Sequence, residues 1–162
     1  MTKFYIIPGL GEKRENYRWL ISEAKKKYDV EFLNLQLKNN SFLKLTQTKI
    51  EPNSVVFGFS VGALIAYKLK TYIQKGIYCS MSDFLGSDSK KVFKDLVDFF
   101  GEETANELKK LRYGKPKAKE VFLFCGDREM SERMNKIGGV KIIKNTEHKF
   151  TKNYKKAVLD VI

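Results

Sequence analysis

Apolar residues along this chain fall into short continuous runs, separated by stretches in which they recur every three or four positions. The runs are KFYIIP (3–8), VEFLNL (30–35), SVVFG (54–58), IYCSM (77–81), EVFLFCG (120–126) and VKIIKN (140–145). They are short, bounded by turn residues and rich in β-branched and aromatic side chains, which predicts buried strands. Between them the spacing is helical. Over 14–27, Tyr17, Leu20, Ile21 and Ala24 define one face, and Lys25, Lys26 and Lys27 close the helix where cations complement its dipole. The segment 41–50 predicts a weaker helical connection, broken by Pro52-Asn53. Residues 61–73 are apolar on most sides, the mark of a buried helix. Two helices are expected over 88–100 and 102–112, the first presenting Val92, Phe93, Leu96, Val97 and Phe100. A short helix over 130–137 and a closing one over 152–162, burying Tyr154, Ala157, Val158 and Val161, complete the pattern.

Strand–helix alternation with continuously apolar strands predicts an α/β, three-layer sandwich whose roughly six-stranded sheet is mostly parallel and covered on both faces. No linker or internal repeat interrupts the pattern, so residues 1–162 are read as one domain. Ligands on such sheets bind outside the carboxyl ends of the strands, and every turn of chemical interest here follows a strand.

Composition narrows the possibilities. A hydrophobic content of 43%, with 13% aromatics, excludes a disordered tail. The net charge of +12 raises the question of an acidic partner. However, the lysines are spread through nearly every segment, with only modest clusters at Lys25–Lys27, Lys109–Arg112 and Lys115–Lys119. That distribution points to a solvated surface, and no dedicated nucleic-acid binding is expected. No apolar run approaches the roughly 18–20 residues of a membrane span. MTKFYIIPG lacks the pattern of a secretory signal, so a cytoplasmic location is expected. Cys79 and Cys125 are too few for a disulfide framework or a cysteine-rich zinc site and read as buried, reduced side chains. With one histidine besides, no metal site is expected.

Candidate chemistry centres on Gly58-Phe59-Ser60-Val61-Gly62. The pattern G-x-S-x-G arises by chance in roughly one chain in twenty of this length, so its setting decides its meaning. Ser60 follows a strong strand and opens a strong helix. A sharp turn there pushes the serine hydroxyl out over the sheet, and the helix N-terminus offers free N–H groups to a developing oxyanion. A serine nucleophile needs a base. The single histidine, His148, lies in NTEHKF just after the last predicted strand.

With IIPGLGE (6–12), GFSVGALIAY (58–67), FCGDRE (124–129) and TEHKF (146–150), the chain resembles a compact α/β-hydrolase over nearly its whole length, without the first strands of the full fold or a large cap. The order Ser…acid…His is that of this family. The resemblance implies a carboxylesterase-like serine hydrolase in which Ser60 attacks a small-molecule acyl substrate, His148 moves the proton and an acyl-enzyme is hydrolysed, with no cofactor. It puts the triad acid at Glu129, three residues after Gly126, with Asp127 and Asp83 as alternatives. It assigns the oxyanion hole to the N–H groups of Leu10 and Val61. Two positions depart from the family's pattern: Pro8 replaces the usual histidine after the first strand, and Glu147 replaces the glycine before the catalytic histidine. The same pattern is compatible with acyl transfer or peptide cleavage. It is also compatible with a vestigial, α/β-hydrolase-like binding protein that uses its basic surface.

Overall fold

The six apolar runs form six strands of one sheet in a computed structural model that describes residues 1–35, 40–129 and 132–162. The strands are β1 (Lys3–Ile7), β2 (Asp29–Phe32), β3 (Val55–Phe59), β4 (Ile73–Cys79), β5 (Ala118–Gly126) and β6 (Val140–Ile143). Their order is β2-β1-β3-β4-β5-β6, and every pairing is parallel. Successive side chains on a strand point to opposite faces, and each face is covered by helices. On one face Phe4, Ile6, Phe57, Ile77 and Phe124 pack against a 3-10 turn (Arg14–Tyr17), α1 (Arg18–Ala24) and the closing helix. On the other, Tyr5, Ile7, Val56, Tyr78 and Leu123 pack against α2 (Phe42–Leu45), α3 (Val61–Tyr67), α4 (Lys90–Phe100) and α5 (Glu102–Lys110). The chain ends with α6 (Glu132–Asn135) and α7 (Lys152–Leu159). This is the three-layer arrangement expected from the apolar pattern.

The order places β1 between β2 and β3, so connections leave the carboxyl end of β1 toward one side and those of β3 toward the other. A crevice opens at such a switch point. The segment Pro8-Gly9-Leu10 and the Ser60 turn lie at the carboxyl ends of the two strands that flank this point.

Some boundaries shift. The buried helix expected over 61–73 stops at Tyr67, and β4 begins at Ile73 instead of residue 77. Gln74 and Lys75 interrupt the apolar run and disguise the strand, yet β3 and β5 pair with it on both sides. Lys75 is accommodated by its length. Its ammonium lies 5.6 Å from the centre of the Phe122 ring and donates to the Val161 carbonyl at 2.7 Å. The helix expected over 130–137 falls partly on residues 130–131, outside the described residues, and its remainder forms α6. No helix among the described residues is long and apolar enough to cross a membrane.

Candidate active site

The turn at Ser60 is tight enough to exclude ordinary side chains beside it. Ser60 has φ 56° and ψ −124°, a region costly for a residue with a Cβ. A Cβ on Gly58 would lie 2.6 Å from the Ala63 Cα, and one on Gly62 would lie 2.2 Å from the Pro8 carbonyl oxygen. The glycines therefore let α3 press against both β3 and the end of β1. The Ser60 N–H donates to the Cys79 carbonyl at 2.9 Å, tying the turn to β4. Held this way, Ser60 opens onto a cleft of about 300 Å³ that is also lined by Ser80, Met81, Asp83, Phe84, Glu129, Met134 and His148.

His148 lies in the loop between β6 and α7, where its ring packs against Phe59, tilted by 42° with centroids 4.9 Å apart. Phe59 in turn packs on Phe150 at 4.3 Å. The residue before the nucleophile therefore supports the imidazole from the core side. His148 Nδ1 and Glu129 Oε2 are 2.5 Å apart. Glu129 Oε1 accepts from Ser80 Oγ at 2.5 Å and from the Gly126 N–H at 2.8 Å. Burial alone would raise the Glu129 carboxyl, but the hydrogen bonds from His148, Ser80 and Gly126 outweigh it and hold it below the usual range.

The two other acid candidates lie elsewhere. Asp127 turns away from the imidazole and accepts from the N–H groups of Asn145 and Thr146 at 2.9 and 3.0 Å. Those bonds lower its pKa and clamp the turn after β5 to the loop that carries His148. Asp83 lines the cleft but does not hold the Nδ1 atom that Glu129 occupies.

The loop after β1 closes the other side. A Cβ on Gly9 would lie 3.3 Å from the Ser60 Cβ, so this backbone abuts the serine. The Gly9 N–H donates to Glu12 Oε2 at 3.3 Å and to the Tyr17 hydroxyl at 3.2 Å, and Tyr17 itself donates to Glu12 Oε2. This bracing fixes the backbone that leads into Leu10, whose side chain is exposed. Val61 is the first residue of α3, where an N–H has no acceptor within the helix.

Both cysteines are free and buried. Burial, and then the Glu129 charge, push the Cys125 thiol up to about 12, and burial also pushes the Cys79 thiol well above its ordinary value. Neither is a competing nucleophile at neutral pH. Among the described residues no three His, Cys, Asp or Glu side chains gather as metal ligands.

The sequence pattern pointed to Ser60, Glu129 and His148, and all three line one cleft. It did not reveal Ser80, concealed within the IYCSM run, or the Glu12–Tyr17 brace. Tyr17 and Tyr154 read as core residues, and their hydroxyl partners emerge only from the fold.

No protein-family model and no curated protein sequence matches the chain. Solved structures do match in shape. MGS-MChE2, an alpha/beta hydrolase enzyme from a metagenome of lagoon sediments at Mar Chica, Morocco, superposes with a TM-score of 0.63 at 15% identity, over 99% of this chain and 88% of that one. Carboxylesterase CesB from Bacillus subtilis gives a TM-score of 0.65 at 11% identity, over 98% and 81%. MenH from S. aureus gives 0.63 at 13%, over 98% and 92%. Likeness at these identities is likeness of fold. The all-parallel sheet, the strained serine turn after β3 and this set of neighbours lead to one assignment: the chain has the α/β-hydrolase fold.

Proposed function

We propose that the protein is a serine hydrolase acting on an ester or similar acyl substrate. The observation that carries this reading is the strained Ser60 opening onto the same cleft as an imidazole whose Nδ1 meets a carboxylate. Ser60 Oγ attacks the acyl carbon while His148 accepts its proton through Nε2. Glu129 stabilises the imidazolium that forms and holds the tautomer that presents Nε2 to the serine. The backbone N–H groups of Leu10 and Val61 receive the oxyanion of the tetrahedral intermediate. His148 then protonates the leaving group, and a water activated by the same imidazole releases the acyl-enzyme.

Met81, Phe84 and Met134 give the cleft an apolar side, and its volume of about 300 Å³ favours a small acyl group. Solved neighbours of this fold include esterases, which agrees with the reading. The test is turnover of activated esters of increasing acyl length. The short ones should be hydrolysed by the wild-type chain and left intact by Ser60→Ala and His148→Asn. Hydrolysis that survives in folded Ser60→Ala would remove the serine from its role.

A further inference from the structure

Behind Glu129 the hydrogen bonds continue into the core. Ser80 Oγ donates to Glu129 Oε1 at 2.5 Å, and the Tyr154 hydroxyl lies 2.9 Å from the same Ser80 oxygen. Tyr154 has a second acceptor in reach, the Phe124 carbonyl, also at 2.9 Å. That carbonyl already accepts the Ser80 N–H at 2.8 Å. Counting protons decides the direction. Ser80 has one hydroxyl proton, and an ionised carboxylate accepts without donating. While that proton serves Glu129, only Tyr154 can supply the hydrogen between the two hydroxyls. Tyr154 likewise has one hydroxyl proton, shared between the Ser80 oxygen and the Phe124 carbonyl, so it backs the Ser80–Glu129 bond only in part. Ser80 and Tyr154 are both buried, 2% and 0% exposed, so water does not take their place.

Ser80 also occupies an unfavourable backbone position, with φ 46° at the carboxyl end of β4. Glycine would sit there without strain. The serine hydroxyl is what the site draws from that position.

We propose that Ser80 and Tyr154 are positioning residues that keep Glu129 ionised and aimed at His148. The proposal rests on the reading of Glu129 as the partner of the catalytic imidazole. Among the described residues, the titratable groups facing Glu129 are His148 from the loop after β6, Cys79 from β4, Cys125 from β5 and Tyr154 from α7, while Asp83 lines the same cleft. Both thiols are kept neutral by burial, and Tyr154 is raised by it. Support for the Glu129 charge therefore comes from the imidazole, Ser80 and the Gly126 N–H.

The test compares wild type, Ser80→Gly and Tyr154→Phe, each also placed in a Glu129→Gln background. Ester hydrolysis and thermal unfolding are followed from about pH 3 to 8. Ser80→Gly removes the hydroxyl while relieving the backbone, so loss of activity cannot be ascribed to misfolding if the variant melts cooperatively. The expected result is a kcat reduced about ten- to a hundredfold, the range seen when groups orienting metal ligands are removed, with KM little changed. The acid-linked loss of stability should also be smaller than in wild type, because without the Ser80 donor the folded pKa of Glu129 moves back toward its unfolded value. Tyr154→Phe should move both readouts in the same direction by less. In the Glu129→Gln background neither substitution should shift the acid limb further. A wild-type acid limb in Ser80→Gly, or a shift that persists without the Glu129 carboxylate, would overturn the proposal. The acid limb is read from unfolding and needs no turnover. An inert wild-type enzyme would sink the hydrolase reading, and the unfolding data would still decide whether Ser80 supports Glu129.

Discussion

Glu129 Oε2 meets His148 Nδ1 at 2.5 Å, although the two belong to separate turns, one after β5 and one after β6. The contact exists because β5 and β6 pair in parallel and deliver their following loops to the same edge of the sheet. Asp127 makes the pairing of loops rigid by accepting the Asn145 and Thr146 N–H groups. The two neighbouring carboxylates thus have separate tasks, one on the imidazole and one on the backbone that carries it.

That division gives a direct comparison. Glu129→Gln should fold and lose kcat by orders of magnitude, since the equivalent amide replacement in a serine protease costs roughly ten-thousandfold. Asp127→Asn should lose much less activity and should show its main effect as a lower melting temperature, because the charge that receives two backbone N–H groups is gone. Both variants are measured on one activated ester, with circular dichroism to confirm folding. The reverse ranking would move the acid to Asp127.

The pH dependence of stability follows from the same carboxyl. Its folded pKa lies below the ordinary value, so the folded state favours the ionised form. The stability it contributes is complete above the ordinary glutamate pKa of about 4.3 and is lost as pH falls through the lower folded value. Thermal melts between about pH 3 and 7 should show a smaller acid-linked loss in Glu129→Gln than in wild type. An identical loss in both would mean the carboxyl gains nothing from its three donors.

Gly62→Ala places a methyl 2.2 Å from the Pro8 carbonyl oxygen, a backbone atom with little freedom to retreat. Overpacking of this kind costs about 1–3 kcal/mol. At this chain length each kcal/mol lowers the melting temperature by roughly 2–4 °C. Activity should fall more than stability, because α3 must back away from the loop that carries Leu10. Differential scanning calorimetry and ester turnover on the same preparation check both.

Phe59→Leu keeps an apolar group in the core but removes the ring against which His148 packs. This large-to-small change also gives up the ring contact with Phe150, and together these cost about 1–3 kcal/mol. A several-fold fall in kcat with nearly unchanged KM is expected, because the imidazole loses its backing and the cleft lining does not change. Wild-type kcat would show that Glu129 alone orients the ring.

Much of this was legible in the amino-acid sequence. β3 and, after Lys3, β1 are continuous buried runs, and parallel strands buried on both faces read that way. β5 is so only in its second half, because Lys119, Glu120 and the exposed Val121 precede it. β4 was legible only in part, since Gln74 and Lys75 break its run and their strand character comes from pairing on both sides. Ser60 and His148 stand out through their positions after strands. Ser80 does not, because its partner lies forty-nine residues away and only the adjacency of β4 and β5 brings the two together. Tyr154 looks like any apolar residue at helical spacing, and its hydroxyl matters only where α7 crosses the end of β5.

The central claim is that Ser60 is an activated nucleophile, and labelling with a fluorophosphonate probe tests it most directly. The phosphonyl group traps a serine that attacks phosphorus and expels fluoride, and peptide mass spectrometry locates the adduct. Wild-type protein should be labelled at Ser60 alone, with labelling abolished in Ser60→Ala and strongly slowed in His148→Asn. A folded wild-type protein that stays unlabelled, or one labelled at another residue, would contradict the account.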